Sequence, residues 1–151
     1  MLDKEILDPD KLTLTEFKLI KGQVDTPEYF DVNKIAGNDI ENSLQFSFKL
    51  DDKLVKTDFT IELKTNSKGA NAEEATSSFH LVFIFKVENI EQLTTKTEKN
   101  SSIKFSTSLG NALSSIVYST SRGILLTRLQ GTAFQNFILP IINPNKLLSK
   151  K

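Results

Sequence analysis

The sequence predicts an α+β protein: a four-stranded antiparallel sheet with one long C-terminal helix packed on one face. Three observations predict it. Before residue 90, short segments alternate apolar and polar residues, the mark of strands with one covered face. Two of these segments flank a tight Asp51-Asp52-Lys53 link, a hairpin signal. Further on the period changes, and Leu109, Leu113, Ile116, Val117, Ile124 and Leu125 fall on one helical face. The 151 residues suit a single domain with one core, its ends at 1–11 and 149–151 frayed.

The strands follow in order. In Leu12–Ile20, Leu12 and Leu14 share one parity and Phe17 and Leu19 the other, which predicts a bulge near Thr15-Glu16. Ser43–Leu50 turns Leu44, Phe46, Phe48 and Leu50 one way. Leu54–Lys64 turns Val55, Phe59, Ile61 and Leu63 inward, and Ser78–Val87 does the same with Phe79, Leu81, Phe83, Phe85 and Val87. The second face of this last strand carries His80, Val82 and Ile84, so it is expected to be partly covered on both sides. The stretch from Gly22 to Asn42 reads as a long ordered loop or a short helical turn begun by Pro27, anchored by Tyr29 and Phe30, and Asn66–Ser78 as a mobile loop. Thr94–Ser102 reads as a polar lead-in.

The helix is expected over Lys104–Gln130, stopped by Gly131 in a left-handed cap. It holds Gly110 and Gly123, each costing about 1 kcal/mol relative to Ala, and many Ser and Thr. Small residues permit close approach of another backbone. That backbone is either the chain's own sheet or a second subunit, with Gly110, Ser114 and Ser121 along the seam. An apolar segment, Phe137-Ile138-Leu139-Pro140, and a turn at Asn143-Pro144 follow.

Composition excludes more than it identifies. Lys and Arg total 19, as do Asp and Glu, so no bulk field exists to hold a nucleic acid. There is no cysteine, and His80 is the one histidine, so neither an ordinary zinc site nor a Cys-His or Ser-His-Asp arrangement has support. Lys68-Gly69-Ala70 is no phosphate cradle, and Glu73-Glu74 and Asp51-Asp52 suit a solvated loop and a turn. No enzymatic activity and no cofactor are expected. The N-terminus has no apolar core of a signal peptide, and the longest apolar run, Leu81–Phe85, is far shorter than a membrane span. A cytoplasmic location without membrane insertion is expected. Phenylalanine is unusually frequent, at 11, against 2 Tyr and no Trp. It fills a core without a polar group to satisfy, and equally serves as apolar surface for a partner.

The order of elements resembles the SecB family of ATP-independent export chaperones. Asp25-Thr26-Pro27-Glu28-Tyr29-Phe30 is similar to the family's element after its first strand. Leu109-Gly110 resembles its helix start, and Gly131-Thr132 followed by Phe137-Ile138-Leu139-Pro140 its post-helix segment. The likeness spans residues 12–148. It implies a homo-oligomer, a dimer or dimer of dimers paired through sheets and helices. It also implies apolar grooves that hold unfolded or precursor polypeptide. The positions matching that groove are Tyr29 and Phe30, with Phe134, Phe137 and Leu139 as further wall residues; all of them equally suit a core or interface. Typical members are acidic and carry a second C-terminal helix. This chain is neutral and its tail, Asn145–Lys151, is too short for one, which leaves docking on the export motor SecA doubtful.

Three functions follow. The first is a general holdase for unfolded polypeptide. The second is a SecB-like partner dedicated to one cognate protein, such as the chaperone of a toxin–antitoxin system. The third is a β-rich domain enclosing a small apolar ligand.

Overall fold

The computed structural model describes residues 7–69, 73–96, 102–143 and 145–148. Its main sheet is antiparallel throughout, with strand order β1-β4-β3-β2. The strands are β1 (Leu12–Asp25), β2 (Ile35–Lys49), β3 (Leu54–Ser67) and β4 (Thr76–Val87). A one-turn helix α1 (Ile90–Leu93) leads to a small hairpin of β5 (Thr94–Lys96) and β6 (Ile103–Phe105). Helix α2 (Thr107–Arg128) and a one-turn α3 (Asn145–Leu148) complete the fold. Of the predicted frayed ends, 1–6 and 149–151 lie outside the described residues, whereas Pro9–Lys11 form a turn capped by Asp8.

The predicted hairpin closes through a helical turn, Leu50–Asp52, and Lys53 takes a left-handed conformation at φ 60°. Its ammonium donates to the Glu88 carbonyl, tying the turn to the end of β4. In β1 the register slips between Leu14 and Glu16, where the change of parity predicted a bulge, and again between Leu19 and Lys21. The first slip lets Leu14 and Phe17 share the core face, opposite Phe85 and Phe83. The Phe17 and Phe83 rings lie 5.1 Å apart.

Three expectations need correction. Strands β1 and β2 reach into the expected Gly22–Asn42 loop, leaving only residues 26–34 as a connection. Residues 35–42 lack apolar alternation because Asn38 and Asn42 take places on the core-side parity, so only pairing with β3 reveals the strand. The helix begins after Ser106, whose hydroxyl accepts from the Leu109 amide; Lys104 and Phe105, expected in the first helical turn, belong instead to β6 and pair with β5, which lies in the expected lead-in. The tail does form a helical turn, α3, which packs toward β2 and buries Leu147.

The core lies between one face of the sheet and the layer made by α2, residues 131–143 and Leu147. Leu44, Val55, Phe59, Ile61, Leu81, Phe83 and Phe85 meet Leu109, Leu113, Val117, Tyr118, Leu125 and Leu129 there. Gly110, Ser114 and Ser121 are also buried on this inner side of α2. They therefore seat the helix against its own sheet, and in the single chain they present no surface to a second subunit. Ile116, predicted inward, lies at the outer margin of the helix and is exposed. The helix ends at Arg128, and Gly131 adopts φ +78°, a conformation cheap only for glycine.

The opposite face of the sheet is polar. His80 Nε2 lies 2.7 Å from Asp58 Oδ1 across β3 and β4, and Lys18 pairs with Glu16. Val82 is nevertheless buried on this face, and His80 and Ile84 are half-buried, matching the partial cover expected of β4.

Candidate functional site

The β1–β2 connection and the segment after α2 come together at one end of the sheet. Pro27 opens a tight turn in the connection, closed by the Phe30 amide donating to the Pro27 carbonyl. The Asp31 carboxylate accepts from the Asn33 amide and caps the next turn, Val32–Lys34. This geometry divides the two neighbouring aromatics. Phe30 packs partly against the core, whereas Tyr29 is 92% exposed.

The connection is braced from the other side by the β3–β4 turn. The Lys68 amide donates to the Lys34 carbonyl. The Glu74 carboxylate accepts from the Ser67 amide at 2.8 Å, the Ser67 hydroxyl at 2.7 Å and the Thr65 hydroxyl at 3.0 Å. The Ser67 bonds, backbone first, hold this carboxyl below the ordinary range, so Glu74 stays ionised and locks the turn. Glu74, expected as a solvated loop residue, thus has a bracing role.

On the far wall, Thr132 repeats the capping logic. Its hydroxyl donates to the Leu129 carbonyl and accepts from the Phe134 amide. The chain then runs back beside α2. Tyr118 Oη donates to the Pro140 carbonyl at 2.6 Å, and Arg122 Nε to the Leu139 carbonyl at 2.9 Å. The Arg122 guanidinium also sits 5.3 Å from the centre of the Tyr118 ring. Burial pushes the Tyr118 hydroxyl up from its ordinary pKa, against the opposing charge of Arg122, so it is a donor at neutral pH.

Two open clefts flank the connection. One, of about 420 Å³, has Val32, Ile35 and Asn38 on one wall and Thr132–Phe137 on the other. The second, of about 460 Å³, lies beneath Tyr29 and Phe30 and reaches Lys34, Ser67 and Glu73. Exposed Ile138 and Ile141 lie farther along the returning chain. Both clefts mix polar and apolar lining, and exposed apolar side chains stand near them, an arrangement that can hold an extended polypeptide by contact.

The five predicted groove residues divide accordingly. Tyr29 and Phe30 line one cleft, and Phe134 and Phe137 touch the floor of the other. Phe134 and Leu139 are each only 1% exposed and Phe137 is nearly as enclosed. Their side chains fill the core, the alternative left open by the sequence; the expectation that they offer groove surface is corrected. Sequence reasoning missed Val32, Ile35, Ile138 and Ile141. Their signal was present as apolar residues in segments without strand or helix periodicity.

A second apolar surface lies along β1 and the outer side of α2. Leu14 and Phe17 face the core side of the sheet yet stay 45% and 42% exposed, beyond the cover of the helix. Phe17 shares a shallow notch with Thr120, Gly123 and Ile124. A side chain at Gly123 would meet nothing within 4 Å, so a neighbouring backbone can approach there. Ile116 and Leu126 extend the exposed apolar side of α2.

Comparison with solved structures decides the fold. The Mycobacterium tuberculosis SecB-like chaperone Rv1957, in complex with a ChAD peptide from the Rv1956 HigA1 antitoxin, superposes with a TM-score of 0.59. The match covers 88% of this chain and 91% of that one, at 12% sequence identity. The fold is SecB-like. A Streptococcus agalactiae protein of unknown function gives a TM-score of 0.36 at 12% identity, over 86% of this chain and 97% of the other. No protein-family model matches the sequence, and no curated protein does. Within the SecB-like fold, both clefts border the β1–β2 connection. No described helix is long and apolar enough to cross a membrane.

Proposed function

We propose that this SecB-like chain is a cytoplasmic, ATP-independent chaperone that holds unfolded polypeptide at the β1–β2 connection. One observation carries this reading. Tyr29 stands exposed beside one open cleft, and Val32 beside a second whose far wall is the capped, non-helical segment 132–137. Placing large apolar side chains in water forgoes about 25 cal/mol per Å² of burial, so their exposure fits a surface kept for a partner. The reading includes no catalytic role and no cofactor. The test is light scattering of a chemically unfolded client diluted with the protein. Suppressed aggregation at stoichiometric amounts, without nucleotide, is expected; unchanged aggregation sinks the proposal.

A dedicated single partner is the second reading, favoured by the antitoxin peptide in the Rv1957 complex. The net charge of zero suits it better than docking on an export motor such as SecA. It predicts one tight interaction and weak holding of other clients. Enclosure of a small apolar ligand fits less well, because Phe59, Phe83 and Phe85 are packed against the chain's own layer of α2 and tail residues.

The proposal includes self-association, as dimer or dimer of dimers, through the β1 and α2 surface. Leu14, Phe17, Ile116 and Leu126 supply apolar area there, and Gly123 permits close approach. Light scattering after size exclusion should give a multiple of 17.0 kDa, and Phe17→Lys with Leu126→Lys should reduce it. An unchanged mass in the variant rejects this surface.

A further inference from the structure

We propose that residues 137–142 form an internal strap that occupies part of the apolar face in place of a partner polypeptide. In this proposal the Tyr118–Arg122 pair is the latch that sets how readily the strap yields. The inference deepens the polypeptide-binding reading and rests on it.

The strap has the attributes of a bound peptide. It belongs to no helix or strand. No backbone–backbone hydrogen bond among the described residues involves 138–142. Phe137 and Leu139 turn into the core, while Ile138 and Ile141 turn out, the latter 91% exposed. This in-and-out disposition is how an extended polypeptide anchors alternate side chains in an apolar groove. Its backbone is held instead by side chains of α2. Tyr118 and Arg122 both reach the Pro140 carbonyl, and Arg122 also holds that of Leu139.

The anchoring is one-sided. The Tyr118 ring packs edge-on against Phe59 at 6.0 Å, so the latch stands on the core of the sheet. The strap contributes two core side chains and two carbonyls, and the strap's start borders the cleft at Phe137. Lifting it would extend that cleft along α2 and uncover the sites of Phe137 and Leu139. A segment with few internal bonds opens at lower cost than the sheet beneath it. An incoming polypeptide that supplies its own apolar side chains replaces what the strap gives up. Binding then carries the cost of opening, and apparent affinity falls by the fraction of molecules that are open.

The experiment uses the full chain and its Arg122→Ala and Tyr118→Phe variants. Chymotryptic cleavage after Phe137 reads strap opening, because that side chain is buried until the strap lifts. Binding is read by anisotropy with fluorescein-labelled, reduced and carboxymethylated α-lactalbumin, which stays unfolded. Losing a hydrogen bond to a charged donor should raise the open fraction about tenfold. Cleavage should quicken and affinity tighten by similar factors. Tyr118→Phe keeps the ring on Phe59, so it carries the test if Arg122→Ala exposes the β3–β4 region to cleavage as well. Faster cleavage with unchanged or weaker affinity overturns the strap while wild-type binding leaves the chaperone reading standing. No binding by any form overturns both. Unchanged cleavage in the variants overturns the latch.

Discussion

Replacing Ser121 with Ala should stabilise this protein. Ser121 is fully buried on the inner side of α2, and its hydroxyl oxygen has no hydrogen-bond partner. A buried hydroxyl left unpaired costs about 1–3 kcal/mol in lost hydration. Ala removes that cost, and its higher helix propensity adds about 0.5 kcal/mol. Against this stands the small void left by one oxygen, about 0.3 kcal/mol if it measures roughly 10 Å³. The net gain should be about 1–3 kcal/mol. Ser119, exposed on the same helix, isolates the propensity, and Ser119→Ala should gain only about 0.5 kcal/mol. Urea unfolding at constant m value measures both. For a chain of this size each kcal/mol raises Tm by about 2–4 °C. If Ser121→Ala is no more stable than Ser119→Ala, the hydroxyl has a partner and the reasoning fails.

Three other outcomes follow from the site. Phe134→Ala should cost about 3–5 kcal/mol in urea unfolding, because its ring is core and not groove surface. Tyr29→Ser should change stability by less than about 0.5 kcal/mol yet weaken anisotropy-detected binding of an unfolded client; equal binding would remove Tyr29 from the site. The lowered Glu74 pKa makes its bracing of the β3–β4 turn complete above the ordinary carboxylate value. That contribution is lost as pH falls through the folded-state pKa. The Ser67 amide resonance should report this step, and Glu74→Gln should abolish it.

Where a residue's surroundings repeat locally, the sequence was legible. Alternation over 54–64 and 78–87 located β3 and β4 almost to their ends, and a parity break at Thr15-Glu16 located a bulge. The helix start was less legible: it was expected at Lys104, and the Ser106 cap and the pairing of Ile103–Phe105 with β5 move it to Thr107. In 35–42, Gly and Asn break the pattern, and the strand exists because β3 continues beside it. Tyr29 and Phe30 were legible as a pair, but their separation depends on one tight turn after Pro27.

The sequence by itself determined the class of fold, the sheet's apolar face, the long helix with its glycine stop, and the lack of catalytic vocabulary. These follow from periodicity and composition, which each segment carries alone. Tertiary structure decided which apolar residues are core and which are surface. Gly110, Ser114 and Ser121 became helix-to-sheet packing, and Phe134 and Leu139 became core. Tyr29, Val32 and Ile141 remained in water. Hydrophobicity states that a side chain gains by leaving water, but not against what; that answer exists only once distant segments have met.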